Sequence, residues 1–246
     1  MFDDISLAPK AKTAVFIGYD PLEDAAAKML VHSIRSRTTK PIKIFPIIRD
    51  QLLAYDIFNR PLDPRGSTQF SLTRFMVPHL MGHNGMGIFL DCDMLITRDI
   101  QEMFSLAKNK KYAIHVPKHD YSPGQGTKMG GIEQTYYPRK QWSAVTIFNC
   151  DHKLTKQLTT EIVERATTKF LHRFEWCPNE AIGSLPLEYN FLVGEQEMPE
   201  TLPFNIHHTL GAPIFAECQN VDYADYWKSE FEATFGRKFS AEDIIN

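Results

Sequence analysis

Apolar residues along the chain fall alternately into short runs and helical stripes. Thr13 to Gly18 is a brief apolar run of the kind buried on both faces of a parallel sheet. Asp20, Pro21 and Glu23 then supply a cap, a first-turn proline and a third-position acid. The spacing predicts a helix from there to about Arg35, with Ala26, Met29, Leu30 and Ser33 on one face. Pro41 to Ile48 reads as a second strand, so the chain opens as a βαβ unit and a parallel α/β sheet is expected. Leu72, Phe75, Met76 and Leu80 predict a helix within 68–80, and Gly87 to Leu90 predicts a third strand. Asp99 to Ala107 reads as helix, Tyr112 to Val116 as extended, Ala144 to Phe148 as strand and Thr155 to Thr167 as helix. Near the end, Tyr223, Tyr226, Trp227, Phe231 and Phe235 share one helical face that packs on the core.

Residues 118–142 break this pattern. They hold Gly124, Gly126, Gly130 and Gly131, two prolines and little periodicity, while Tyr136, Tyr137 and Trp142 argue against disorder. A long loop inside a compact domain is usually functional.

Composition narrows the function classes. A chain of 246 residues with 43% apolar and 23% charged residues has an ordinary globular make-up, and can bury a core without disulfides or a structural metal. A formal net charge of −3 with no basic block disfavours nucleic-acid binding. Cys92, Cys150, Cys177 and Cys218 form no CxxC pair, which excludes the usual zinc ribbons and fits a reducing compartment. The first residues lack an apolar signal region, and no run approaches the ~18 apolar residues of a membrane span. A soluble, cytoplasmic protein is the expectation.

The chemistry concentrates at Asp91 and Asp93. Four apolar residues carry the chain to the carboxyl end of a buried strand, the edge where open α/β sheets bind ligands. In extended chain, residues two apart point the same way, so both carboxylates can face one hard divalent cation, Mg²⁺ or Mn²⁺. Two aspartates opening a solvated turn would look similar. Haloacid-dehalogenase phosphatases also place DxD after a strand, but on the first strand and with Thr or Val where Leu95 stands here. No P-loop and no GxGxxG occurs, and Gly18-Tyr19-Asp20-Pro21 lacks the basic Gly-rich loop of sugar-nucleotide nucleotidyltransferases.

The order of segments resembles the GT-A glycosyltransferases of family 8, the group of glycogenin and bacterial lipopolysaccharide galactosyltransferases, and most of all an uncharacterised bacterial branch like it. The resemblance is carried by VFIGYD (15–20), FSLTRFMVPHL (70–80), GIFLDCDML (87–95), VTIFNC (145–150), LPLEYN (185–190) and HHTLGAP (207–213). It implies one GT-A domain over 1–246: a Rossmann-like, mixed, mostly parallel sheet flanked by helices, with residues 118–142 shaping the acceptor site. It further implies a nucleoside-diphosphate sugar donor, UDP-sugar by default, and Mn²⁺ (or Mg²⁺) held by Asp91, Asp93 and His207, with His208 the alternative third ligand. Tyr19, Asp20, Arg74, Cys92 and Gly211 fall in donor-binding segments.

Where family 8 commonly has Asp-Gln near the anomeric carbon, this chain has Asn179-Glu180; with Arg74 these are the implied catalytic residues. The Lys and Trp that often follow the family's histidine are replaced here by Pro213 and Phe215. Lys118, His119, Lys128, Tyr137, Arg139 and Trp142 offer cations and flat faces to a glycan or lipid-linked acceptor. Retention of configuration, and a place in surface polysaccharide or lipopolysaccharide synthesis at the inner membrane face, follow from the resemblance. A phosphohydrolase and a nucleotide-sugar binder without turnover remain the competing readings.

Overall fold

The computed structural model describes residues 2–62, 68–120, 127–128, 132–133 and 139–245. Among the described residues, eleven strands run in chain order: β1 Thr13–Gly18, β2 Lys43–Ile47, β3 Met86–Leu90, β4 Met94–Ile96, β5 Ile114–Pro117, β6 Thr127–Lys128, β7 Ile132–Glu133, β8 Val145–Asn149, β9 Ile182–Leu185, β10 Phe191–Leu192 and β11 Asn205–His207. The α-helices are α1 Asp24–Arg37, α2 Arg49–Ala54, α3 Val77–Leu80, α4 Gln101–Leu106, α5 Thr160–Arg165, α6 Thr168–His172 and α7 Ala224–Phe235. The main sheet has the order β2-β1-β3-β8-β5-β9. Only β8 runs against its neighbours, so the sheet is mixed and mostly parallel, as expected.

Its strands are buried on both faces because helices and loops cover both, which is why they read as unbroken apolar runs. Close approach is built in with glycine. A Cβ on Gly87 would meet Val77 Cγ1 at 2.5 Å, which lets α3 lie directly on β3. One on Gly18 would meet the Phe70 ring at 2.3 Å.

A second sheet, β10-β11-β4, grows out of the first, since β4 follows β3 after only Asp91, Cys92 and Asp93. It packs on α1, whose Ser33 Oγ accepts the Ile96 N–H at 3.1 Å. Trp227 and Phe231 of α7 bury the aromatic stripe against this sheet's side of the molecule. Arg37 of α1 pairs with buried Glu230 of α7 at 2.7 Å, and His32 Nδ1 meets the same carboxylate at 2.7 Å.

Two expected helices are broken. Residues 68–80 form turns, a 3-10 turn over Thr73–Met76 and then α3. Pro78 is the cause: it has no N–H to give and its ring would clash with the carbonyl of residue 74 in a continuous helix, so it sits in the first turn of a new one. In 155–167 the chain makes a 3-10 turn, then α5, while Thr167 caps α6. The Thr159 and Thr167 hydroxyls accept the N–H groups of Ile162 and Phe170, competing with helix continuation.

Among the described residues of 118–142, β6 and β7 pair as a short antiparallel ladder. Tyr136 and Tyr137, like the glycines at 124, 126, 130 and 131, lie outside the described residues, as does the side chain of Lys128. No helix among the described residues is long and apolar enough to cross a membrane, and all four cysteines are free and buried.

Gly18→Ala is expected to destabilise the protein by about 1–3 kcal/mol, because the new methyl must displace the Phe70 ring. Equilibrium denaturant unfolding measures it; an unchanged midpoint contradicts the packing described.

Candidate active site

Asp91 leaves β3 at the carboxyl end of the parallel strands, its N–H bonded to the Ala144 carbonyl at the start of β8. Two residues on, β4 pairs antiparallel with β11, and Met94 lies opposite His207. The His208 N–H extends that ladder to the Asp93 carbonyl at 3.0 Å. The register thus carries a histidine from far along the chain to the aspartate pair. His207 Nε2 lies 3.3 Å from Asp93 Oδ1, and ligand atoms of Asp91, Asp93 and His207 all fall within 4.8 Å of one another. Two carboxylates and an imidazole form a donor set that fits a divalent ion of hard to borderline character. Asp91, Asp93 and His207 therefore come together as the sequence suggested.

Each ligand has a buried support. Arg74 Nη1 forms an ion pair with Asp91 Oδ1 at 2.9 Å and donates to the Ser143 carbonyl at 3.0 Å. Its guanidinium lies between the Phe70 and Phe89 rings, 5.3 and 4.9 Å from their centroids. Ser143 Oγ in turn meets His172 Nδ1 at 3.0 Å. Burial, with the nearby Arg74 charge, pulls the His172 pKa down to about 3, so this ring is neutral. On the other side His207 Nδ1 lies 2.7 Å from Asn190 Oδ1.

The electrostatics are those of a cation site. Burial presses the Asp93 carboxyl toward the neutral form, but the charges of His207 and His208 outweigh it and the pKa ends below the ordinary value. Glu23 goes the other way: burial, then Asp93, Asp20 and Asp91, raise its pKa well above normal. The sequence presents Glu23 as a helix-start residue; it is in fact 6% exposed and belongs to the acidic surroundings of the pair. Cys92, fully buried, has its thiol pushed up by desolvation and by Glu23. His208, the alternative ligand, is also buried; desolvation takes its pKa to about 4, and neither ring nitrogen has a hydrogen-bond partner among the described residues.

The donor-side residues are spread around this cluster. Asp20 spends its carboxylate on structure, accepting the N–H groups of Leu22 at 3.1 Å and Gln69 at 3.0 Å. Tyr19 donates to Asp24 at 2.9 Å; burial and that carboxylate raise its pKa to about 12. Gly211 has φ of +132°, and a Cβ there would meet Cys218 Sγ at 2.6 Å.

Asn179 and Glu180 are not brought to the cluster. They lead into β9, and Ile182 is level with Ile114, Phe148 and Gly87 across the sheet, three residues below Leu90. Because β9 runs parallel to β3, its start lies at the end of the sheet away from Asp91. Glu180 is exposed, and Asn179 accepts from Arg139.

Of the residues expected to face an acceptor, Trp142 is the centre. Its Nε1 donates to the His119 carbonyl at 2.8 Å, and Lys118 Nζ and Arg139 Cζ lie 5.8 and 5.7 Å from its ring. His119 is buried beside Asn190 and His207, and desolvation lowers its pKa to about 4. Arg139 and Gln141 have left-handed backbones, φ 63° and 67°. Such conformations in residues with side chains cost of order 1–3 kcal/mol each and cluster at functional sites. A separate apolar cavity of about 210 Å³, lined by Ile5, Pro9, Tyr55, Ile57 and Leu80, contains no part of the cluster.

Comparison with known proteins agrees with this architecture. The chain superposes on the bifunctional glycosyltransferase WbbM with a TM-score of 0.62 at 14% identity, covering 94% of this chain and 52% of that one. It superposes on the glycosyltransferase GlyE of Streptococcus pneumoniae TIGR4 with a TM-score of 0.60 at 15% identity, covering 90% of this chain and 60% of that one. The chain thus spans little more than half the length of either. The galactosyltransferase LgtC, solved with donor and acceptor sugar analogues, gives a TM-score of 0.56 at 11% identity, with 93% and 98% covered. The fold is therefore that of the GT-A glycosyltransferases. No family model matches the sequence. Protein CDI of Arabidopsis thaliana is 43% identical over 222 residues, 89% of this chain and 85% of that protein. With that identity over nearly its whole length, the chain belongs to the family of the Arabidopsis thaliana Protein CDI.

Proposed function

We propose that the protein is a metal-dependent glycosyltransferase of the family 8 type. It transfers a sugar from a nucleoside-diphosphate donor, a UDP-sugar, to a hydroxyl of a glycan or lipid-linked acceptor, with retention at the anomeric carbon. The observation that carries this reading is the convergence of Asp91, Asp93 and His207 at the carboxyl end of β3 in a GT-A fold.

Asp91, Asp93 and His207 would hold Mn²⁺ or Mg²⁺, which when bound supplies a Lewis acid for the charge that develops on the departing nucleoside diphosphate. Arg74 keeps the Asp91 carboxylate in place from behind. His207 and His208 keep Asp93 ionised despite its burial. Trp142, Lys118, His119 and Arg139 form the acceptor side, where cations over an indole suit a polar or anionic glycan. Tyr19 and Asp20 lie at the end of β1, on the nucleoside side. Asn179 supports the acceptor side by accepting from Arg139, and exposed Glu180 stands outside the Asp91, Asp93 and His207 cluster.

Binding of the right UDP-sugar with Mn²⁺ at about 100 times its dissociation constant adds about 2.7 kcal/mol, a rise of roughly 5–10 °C in Tm for a chain of this size. The shift is expected to vanish with EDTA and in Asp93→Ala. A panel of UDP-, GDP-, CMP- and dTDP-sugars in differential scanning fluorimetry makes the measurement. No shift with any donor, together with release of phosphate from simple esters, would replace this reading with a phosphohydrolase.

Turnover separates the two ends of the sheet. Asp91→Asn is expected to lower kcat/KM for donor consumption by about 100-fold or more, some 2.7 kcal/mol of transition-state stabilisation. Glu180→Gln is expected to stay within about 3-fold of wild type, inside 1 kcal/mol. The reverse order would return Glu180 to the catalytic centre.

A further inference from the structure

The hydrogen-bond roles around His207 are forced, one after another, by a backbone carbonyl. Gln141 presents its C=O to Asn190 Nδ2 at 3.3 Å. A carbonyl can only accept, so the amide nitrogen of Asn190 must face Gln141 and its oxygen must face His207. That oxygen, 2.7 Å from His207 Nδ1, can also only accept. His207 therefore carries a proton on Nδ1, and Nε2 is the ring nitrogen that faces Asp93, 3.3 Å away. Asn190 and His207 are both buried, with exposures of 0% and 1%, so water does not compete for these roles.

Gln141 reaches this position through its left-handed backbone, φ 67°, a region side-chain-bearing residues seldom enter. Its own amide is tied down as well, Nε2 donating to Thr209 Oγ1 at 3.0 Å. Thr209 lies just past the histidine pair, so Gln141 grips the strand carrying His207 from two directions. The Tyr189 carbonyl accepts from Asn205 Nδ2 at 3.0 Å, which anchors the turn bearing Asn190 to the root of β11.

We infer that Asn190 and Gln141 are positioning residues for the metal site. Asn190 fixes the Nδ1–H tautomer of His207 so that Nε2 is presented as a ligand, and Gln141, through its left-handed carbonyl, fixes the orientation of Asn190. The inference rests on the proposed metal role of His207. Partners of this kind orient a ligating imidazole and raise its basicity, and their loss typically weakens metal binding 10–100-fold.

The test titrates the whole protein with Mn²⁺, reading free ion by electron paramagnetic resonance. In parallel it reads the His207 ring in the metal-free protein by long-range ¹H–¹⁵N correlation, assigned by the signal lost in His207→Gln. Wild type is expected to bind Mn²⁺ and to show a protonated Nδ1 held by Asn190. Asn190→Leu is expected to bind 10–100-fold more weakly and to lose that proton placement. Asn190→Asp, which keeps an acceptor toward Nδ1 but offers no donor to the Gln141 carbonyl, is expected to retain the proton on Nδ1 and to bind Mn²⁺ more tightly than Asn190→Leu.

A second pair of variants guards against a folding defect in Asn190→Leu. Gln141→Gly keeps the left-handed backbone and the carbonyl, and is expected to bind Mn²⁺ like wild type. Gln141→Val, strained in that conformation, is expected to bind more weakly with a mixed tautomer. Wild-type affinity and an unchanged tautomer in Asn190→Leu overturn the role of Asn190, and the same result in Gln141→Val overturns that of Gln141. Absence of Mn²⁺ binding in wild type overturns the metal reading instead, and the tautomer, read without metal, still decides whether Asn190 sets the ring.

Discussion

The pairing of β11 with β4 is the constraint on which the rest of the site depends. β4 is short, and it exists only because the chain leaves β3 through Asp91-Cys92-Asp93 and is caught at once by Asn205 to His207. A slip of one residue would turn His207 away from Asp93 and leave its imidazole buried with no partner. The register is secured from several sides. The His208 N–H lands on the Asp93 carbonyl, Thr97 bonds back to the Phe204 carbonyl, and β10 closes the far edge. The packing of α1 and α7 beneath this small sheet therefore serves the chemistry as well as stability.

A second constraint is the cost of gathering carboxylates in a poorly solvated place. Asp20, Glu23, Asp91 and Asp93 surround Cys92, and like charges so placed cannot all stay ionised without compensation. The structure answers with different devices. Asp20 is held by two backbone N–H groups, Asp91 by Arg74, and Asp93 by the histidines. Glu23 is pushed toward its neutral form by burial and by Asp93, Asp20 and Asp91. An arrangement in which some carboxylates are neutralised by fixed partners and others stay ionised in a converging group is what a cation of charge two needs. It also explains why the supporting residues come from four separate parts of the chain.

Much of this was legible in the sequence, for physical reasons. Runs such as 13–18 and 87–90 are apolar because the strands they form are covered on both faces, so they announce a parallel sheet directly. Asp91 and Asp93 are legible because two residues of extended chain repeat a direction. His207 was reached through resemblance, since nothing local marks it apart from its neighbour His208. The helix expected over 68–80 was misread because apolar spacing cannot see the reset that Pro78 imposes. Asn179 and Glu180 were placed by analogy with a motif; they lead into the start of β9, where Asn179 accepts from Arg139. Ser143, His172, Asn190 and Gln141 act through contacts between distant segments, and such contacts leave no periodic trace. Asn190 lay inside one of the recognised motifs, yet its partner could be known only once β11 was in place.

The residue between the two aspartates has a consequence of its own. Cys92 is the one sulfur that the DxD turn carries into the acidic centre, and it is fully buried with its thiol held protonated. A thiolate there would have made the centre attractive to soft, thiophilic ions and open to oxidants. With the proton kept on and the surface sealed, the sulfur behaves as a small apolar filler beneath the carboxylates. The face that Asp91, Asp93 and His207 share is then composed of oxygen and nitrogen alone, with the sulfur held back beneath it as packing.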